Sequence, residues 1–394
     1  MRATECKRVA LSFADAWPGE GHREPSHEPK VASFLERQGE DGEALLYPGR
    51  GDAHMGQTMK AAVFEGPGQL VVRDVEVPRL DRADAVKIEV EAVGICGTDV
   101  HITSVPPGYP ATPGTILGHE FVGRVVEIGS AVTHLAPGDR VVVNPNDYCG
   151  TCWACQTHLP NLCEHVVAVG INAHGAFARY WVGSAKLAFR VAETVGPDQG
   201  VFAEMLADVI NGTRKVRLQP GETAVVIGMG PIGHLFGQVF RLAGAAKVIA
   251  LETSAYRQER ARAAGWDLLA DPAKDDVREL VLQETGIGGD VVVDAAGSAL
   301  PLAVELARKG GRVLLFGVNT AARATVPQSL ITTKEIQVLG TWLANATFPS
   351  AVQLLETGRV RTEELITHRL PLASLSDGLD LLRRGQALKV VIKP

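Results

Sequence analysis

The sequence predicts an α/β protein in two parts: a β-rich domain of barrel-like or sandwich-like strands, and a doubly wound parallel sheet. Two textures and one motif predict it. From residue 59 to about 205, short β-prone runs are separated by Gly and Pro. From 206 to 344, continuous apolar runs alternate with helical stretches. Where one of those runs meets a helix, the chain reads G-x-G-x-x-G.

Residues 1–58 are rich in Pro, Gly and charge, with little apolar periodicity. Disorder is expected there, apart from one short helix over "VASFLERQ", and the stretch reads as an extension from an upstream start site. The first strand begins at Met59 in "MKAAVFE"; "QLVVRDVEV", "AVKIEVEAVGI", "EFVGRVVEIG" and "DRVVVNP" follow. Beyond 206, "ETAVVIG", "AKVIALE", "DVVVDAAG" and "GRVLLFGV" have the unbroken apolar character of strands buried on both faces. Helices are expected over "PIGHLFGQVFRLAGA", "SAYRQERARAAG" and "ALPLAVELARKGG", then over "PSAVQLLETG" and "LSDGLDLLRRG", with a last strand in "ALKVVIKP".

A chain of 394 residues is long enough for two domains. A net charge of −6 with no basic patch excludes a nucleic-acid partner. No apolar run approaches ~18 residues, so no membrane span is expected. "MRATECKRVALSFADAW" faintly resembles a signal peptide, but Asp15 interrupts its apolar stretch and no small-residue cleavage site follows cleanly. Four of the six cysteines crowd one segment, which suits a metal or redox role in the cytoplasm better than a disulfide framework.

The glycines of "VVIGMGPIGHLFGQVF" are Gly228, Gly230 and Gly233. They follow a strand and open a helix near Pro231 and Ile232, and a second strand ends at Glu252. This is the context of a dinucleotide-binding turn: glycines admit the pyrophosphate, and the helix N-terminus offers free N–H groups and partial positive charge. Glu252 can accept hydrogen bonds from the adenosine ribose and repels a 2′-phosphate, so NAD is expected rather than NADP; Arg257 comes five positions later.

Cys149, Cys152, Cys155 and Cys163 are spaced C-x2-C-x2-C-x7-C. The spacing lacks the ferredoxin ending and is not a single thioredoxin-like pair. Four thiolates complete a tetrahedral Zn²⁺ and leave no open position, so a structural zinc in a lobe over about 144–165 is expected. Upstream, "GICGTDVH" holds Cys96, Thr98, Asp99 and His101, and "GHE" holds His119 and Glu120. Cys and His are zinc ligands, and a third ligand can come from distant sequence.

These motifs, with "KEIQVLGTW", occur in the order found in zinc-dependent medium-chain alcohol dehydrogenases, and residues 59–394 resemble that family's polyol, butanediol and threonine dehydrogenase branches. The resemblance implies a GroES-like catalytic domain over 59–205 and 345–394, and a Rossmann domain over 206–344. It implies two Zn²⁺ per chain and an NAD-dependent reaction on a small secondary alcohol or polyol, with a threonine-type amino alcohol as the alternative. Cys96 and His119 then resemble the catalytic zinc ligands, and Glu204 in "FAEMLAD" matches the position of a third. Glu120 resembles a glutamate able to swing onto the metal, and either Glu120 or Glu204 could ligate at rest. Asp99 looks like the carboxylate orienting the histidine, and Thr98 and His101 like a proton relay to solvent. A homodimer or homotetramer is expected from the same resemblance. The reading from another class, a non-catalytic zinc-binding interaction module, is disfavoured by the acidic charge and by the Cys96–His119–Glu204 set. Met205, Arg179 and His234 depart from the family pattern. Arg179 bears on the charge balance of the cleft, and His234, near the expected pyrophosphate and within reach of it, is expected rather to point outward to solvent.

Overall fold

The computed structural model describes residues 56–394. Residues 1–55, with most of the expected extension and its helix over "VASFLERQ", lie outside the described residues; the first strand begins at Thr58.

Alternating burial organises the first half. In the strand Ala85–Gly94, Val86, Ile88 and Val90 point into the core, while Lys87, Glu89 and Glu91 face outward. This strand is the spine of a seven-stranded sheet. It pairs antiparallel with Glu120–Ile128, and through different parts of its length with Tyr180–Ser184 and Lys389–Lys393. Arg140–Val143 and Ala188–Arg190 extend the sheet beyond Glu120–Ile128, and Ile366–Pro371 lies parallel outside Lys389–Lys393. Phe121 meets Trp181 edge-on, with ring centroids 5.3 Å apart, in the core beneath.

The second half is an all-parallel, six-stranded sheet. Its order is Leu268–Ala270, Lys247–Leu251, Thr223–Ile227, Gly289–Asp294, Ala307–Leu315 and Gln337–Gly340. Chain order therefore reverses between Thr223–Ile227 and Gly289–Asp294, as in doubly wound dinucleotide-binding sheets. Both faces are buried, as expected: Val225 and Ile227 enter one core, and Ala224 and Val226 the other.

One expected helix is shorter than its sequence suggested. "ALPLAVELARKGG" is helical only over Leu300–Leu306; Ala307 then pairs with Gly289 and starts a strand. Gly310 and Gly311 favour no helix, and sheet pairing takes the chain instead. The C-terminal stretch is also divided. Lys389–Lys393 joins the first sheet, whereas Phe348, Ala351, Val352 and Leu355 of the helix Phe348–Glu356 enter a core that both halves share, where Phe348 stacks on Phe189 with ring centroids 5.2 Å apart.

The helix Ala203–Val216 ties the halves together. The boundary drawn at 205/206 falls inside it. Its first turn carries Glu204, and farther along Gly212 lies against Phe236 of the helix Pro231–Leu242. Phe236 is fully buried and meets Phe316 edge-on at 5.0 Å. Phe236→Ala should therefore destabilise the protein by about 3–5 kcal/mol, read as a lower denaturant midpoint at unchanged slope.

Candidate active site

Cys96 N-caps the short helix Gly97–Ile102. Its Sγ accepts from the Thr98 N–H at 3.4 Å, and its own N–H donates to Asp99 Oδ2 at 2.9 Å. The cap locks Asp99 in place, and the other oxygen of that fully buried carboxylate lies 3.7 Å from His119 Nδ1. His119 and Glu120 arrive together where "GHE" enters the strand Glu120–Ile128. Donor atoms of Cys96, His119 and Glu120 all lie within 4.8 Å of one another.

Glu204 stands outside that distance, although its charge reaches His119. Among the described residues no hydrogen bond or ion pair engages its carboxylate. Burial, reinforced by Asp208 one turn along the same helix, raises the Glu204 pKa well above the carboxylate range. Burial likewise pushes the Cys96 thiol up, with Glu120 adding to it. Burial opposes a charged His119, but Asp99, Glu120 and Glu204 outweigh it and raise its pKa. Asp99 Oδ1, His119 Nδ1 and Glu120 Oε1 are buried without hydrogen-bond partners among the described residues. A thiol, an imidazole and carboxylates gathered with unmatched negative charge fit a divalent soft-to-borderline cation such as Zn²⁺.

Thr98 Oγ1 lies 3.6 Å from Cys96 Sγ. His101 is exposed at the end of the same helix, and no hydrogen bond joins it to Thr98 among the described residues. Two residues at this site escaped sequence reasoning. Asp208, whose pKa burial pushes up to about 8, was signalled only by its spacing of one helical turn from Glu204. Lys389, buried against Glu120, was signalled only by a cation inside the apolar run "ALKVVIKP".

The four-cysteine lobe has a different geometry. Cys149 Sγ is 3.5 Å from Cys163 Sγ and 4.0 Å from Cys155 Sγ, and Cys152 Sγ is 3.9 Å from Cys163 Sγ. A tetrahedron with Zn–S bonds of about 2.3 Å has edges of about 3.8 Å, whereas a disulfide needs about 2.05 Å. The N–H groups of Thr151 and Cys152 point at Cys149 Sγ and depress its pKa to about 5, while burial raises Cys155 to about 12. The lobe fits a closed tetrathiolate site. It docks on the segment just past the strand Gln337–Gly340 through Asn161 Nδ2 to Trp342 O at 2.8 Å and Tyr148 Oη to Ala344 O at 3.1 Å.

At the point where strand order reverses, Gly228 turns the chain at φ 94°, and Gly230 caps the helix Pro231–Leu242. A Cβ at Gly233 would fall 2.0 Å from Gly228 O, whereas above Gly230, among the described residues, only Arg257 Nη1 comes near, at 3.9 Å. The first contact is helix-on-strand packing; the second leaves a cradle open beside free helix N–H groups, which fits a pyrophosphate. Pro231 occupies the first turn of that helix, and Ile232 is partly buried against the core. Glu252 ends the second strand. Its carboxylate accepts from Met229 N at 2.7 Å and Ser254 N at 2.8 Å, and Arg257 Nη1 stands 3.9 Å away.

Two expectations are corrected. His234 does not face solvent: it is buried beside Trp266, ring centroids 5.7 Å apart, because that side of the helix packs inward. Burial lowers its pKa to about 4. Arg179 does not shape the site's charge: it is exposed and pairs with Glu89 at 2.9 Å. Met205 is buried, its Sδ 3.8 Å from Lys389 Nζ. No helix among the described residues is long and apolar enough to cross a membrane.

Two family models match the chain: the alcohol dehydrogenase GroES-like domain over residues 82–193, and zinc-binding dehydrogenase over 231–357. D-arabinitol dehydrogenase 1 of Uromyces fabae is 31% identical over 345 residues, covering 85% of this chain and 97% of its own. A zinc-binding dehydrogenase from Sinorhizobium meliloti 1021, solved with NADP, is 35% identical with a TM-score of 0.80, covering 86% of this chain and all (100%) of its own. An alcohol dehydrogenase from Escherichia coli CFT073, solved with NADH, is 31% identical with a TM-score of 0.80, over 86% and 100%.

Cys152→Ser should lower the melting temperature and make the lobe more sensitive to protease, with no compensating gain on adding zinc. His234→Leu tests the cost of an uncharged buried imidazole. Between pH 6.5 and about 4 the unfolded chain holds a proton that the native state refuses, so native stability falls as pH drops through that window. The loss reaches about 3 kcal/mol for a shift of this size. Equilibrium denaturation of the leucine variant should lack that part of the pH slope.

Proposed function

Because the chain belongs to the zinc-binding medium-chain alcohol dehydrogenase family, we propose that it transfers a hydride from a secondary alcohol or polyol to NAD. The observation that carries this reading is the convergence of Cys96, His119 and Glu120 donors within 4.8 Å, with the unmatched Glu204 heading the adjoining helix. Cys96 and His119, with a carboxylate from Glu120 or Glu204, would hold a catalytic zinc, and Cys149, Cys152, Cys155 and Cys163 a structural one. When bound, zinc acidifies the substrate hydroxyl and the nicotinamide accepts the hydride, chemistry that no side chain here supplies alone.

The chain's own residues do the rest. Asp99 orients His119 through Nδ1 and so presents the other ring nitrogen to the metal. Thr98, a short hydroxyl beside Cys96, passes the substrate proton without leaving a buried charge, and His101 at the exposed end of the same helix delivers it to water. Gly228, Gly230 and Gly233, with the N–H groups beyond Pro231 and the flank of Ile232, seat the cofactor's phosphates. Glu252 favours NAD by its negative charge, whereas Arg257 is the cation a 2′-phosphate would meet. The substrate class follows from relatives such as the D-arabinitol enzyme. A cytoplasmic homodimer or homotetramer completes the reading.

Metal analysis should give two zinc ions per chain. Cys96→Ala should keep one zinc and lose polyol-dependent NAD reduction by at least a hundredfold, about 3 kcal/mol in transition-state terms. A screen of polyols, diols, simple alcohols and threonine, each with NAD and NADP, checks substrate and cofactor together. Zinc content unchanged by Cys96→Ala, or reduction only with threonine, would overturn the corresponding part of the reading.

A further inference from the structure

We propose that Asp208 is a specificity-determining residue: it receives the hydroxyl on the carbon next to the reacting one, and so selects vicinal diols and polyols over simple alcohols. This rests on the reading that the chain oxidises an alcohol held at Cys96 and His119. The helix Ala203–Val216 buries a mostly apolar surface, Leu206, Val209 and Ile210 among it. One stripe breaks that pattern. Glu204, Asp208 and Asn211 follow one another at i, i+4 and i+7, positions that share a helix face. The far end of the stripe is satisfied: Asn211 Nδ2 donates to Leu343 O at 2.7 Å, and Tyr148 Oη to the next carbonyl, Ala344 O, at 3.1 Å. The near end, Glu204, bears on the metal donor His119 through its charge. Asp208 lies between the two. Its Oδ1 is buried without a hydrogen-bond partner among the described residues, while the residue as a whole keeps some exposure.

Asp208 stands toward the reacting end of the site. His119 and Glu120 are the charges that bear on it, and Tyr148 feels Asp208 and Glu204 together. Side chains one helical turn apart stand about 5–6 Å from each other at Cβ, so a substrate of a few carbons can meet the metal donors and Asp208 at once. A buried carboxyl oxygen left unmatched is costly, and a ligand's polar group can supply what the fold withholds. A hydroxyl suits this one because it both donates and accepts, and so satisfies a carboxyl in either protonation state. A threonine-type substrate brings an ammonium for Asp208 to pair, but it also brings a carboxylate. That carboxylate would enter beside Glu120, Glu204 and Asp208, where the buried cation Lys389 is already held by Glu120. A simple alcohol offers Asp208 nothing and leaves Oδ1 unmatched. This is the loss by which a site built for a hydroxyl rejects the analogue lacking it.

The test uses alcohols on one carbon skeleton: 2-butanol, 2,3-butanediol and 3-amino-2-butanol. Each is read by its inhibition constant in competition with the best substrate of the screen above, for the wild type, Asp208→Ala and Asp208→Asn, with zinc content measured alongside. In the wild type the diol should bind about tenfold or more tightly than 2-butanol. Asp208→Ala should weaken the diol by about tenfold and leave 2-butanol within about twofold, whereas Asp208→Asn, which keeps an acceptor oxygen, should hold most of the preference. A merely structural Asp208 would weaken diol and simple alcohol alike, and that result overturns the proposal. So does a wild type that binds 2-butanol as tightly as the diol, which can be read even if Asp208→Ala does not fold. Tightest binding of 3-amino-2-butanol, lost in Asp208→Asn, would assign Asp208 to an ammonium and overturn the hydroxyl reading. A screen that finds no alcohol substrate with NAD or NADP would instead refute the dehydrogenase reading beneath it, a separate outcome.

Discussion

Buried negative charge is the constraint on which this molecule turns. Asp99, Glu120 and Glu204 are all nearly or fully inaccessible to water, and Cys96 is pressed against them. Desolvated anions at such spacing repel one another, so each must be answered by a donor or a cation or have its pKa driven up, as at Cys96 and Glu204. Asp99 is answered by the Cys96 N–H and His119, and Glu120 by Lys389. What remains unanswered is what the proposed metal would answer. Stability and function meet in that residue of charge: a pocket neutralised completely by protein groups would fold more readily and bind no cation.

Periodic features were legible before any coordinates. Alternating burial in Ala85–Gly94 and the two-faced apolar strands Thr223–Ile227 and Gly289–Asp294 follow from side-chain period, which a sequence displays directly. The Cys149–Cys163 lobe was legible for a related reason: its partners are close in the chain, so spacing stands in for geometry. Lys389 was not. Its meaning depends on Glu120 and Ile95, joined to it only by strand pairing across Gly94, and a lone lysine in an apolar run carries no trace of that. His234 failed for the opposite reason. A polar residue on an amphipathic helix is by habit assigned to solvent, and nothing local announced that Trp266 would cover it.

Glu252 shows how a residue can serve two ends. Its carboxylate holds the Met229 and Ser254 N–H groups, so the acid proposed to bear on cofactor choice also braces the glycine turn. The turn and the acid are thereby set by one another before any ligand arrives, which lowers the ordering cost of binding.

The helix Ala203–Val216 begins at the buried Glu204 and ends inside the parallel sheet's core. A helix counts residues: each one adds about 1.5 Å and turns the next side chain by about 100°. Length changes between Glu204 and Gly212 would swing the carboxylate off its target or prise the helix from Phe236. Surface loops can drift in length over evolutionary time because their ends stay put. This segment cannot. Its residue number acts as a ruler, so descendants of this chain are free to vary its chemistry but not its count.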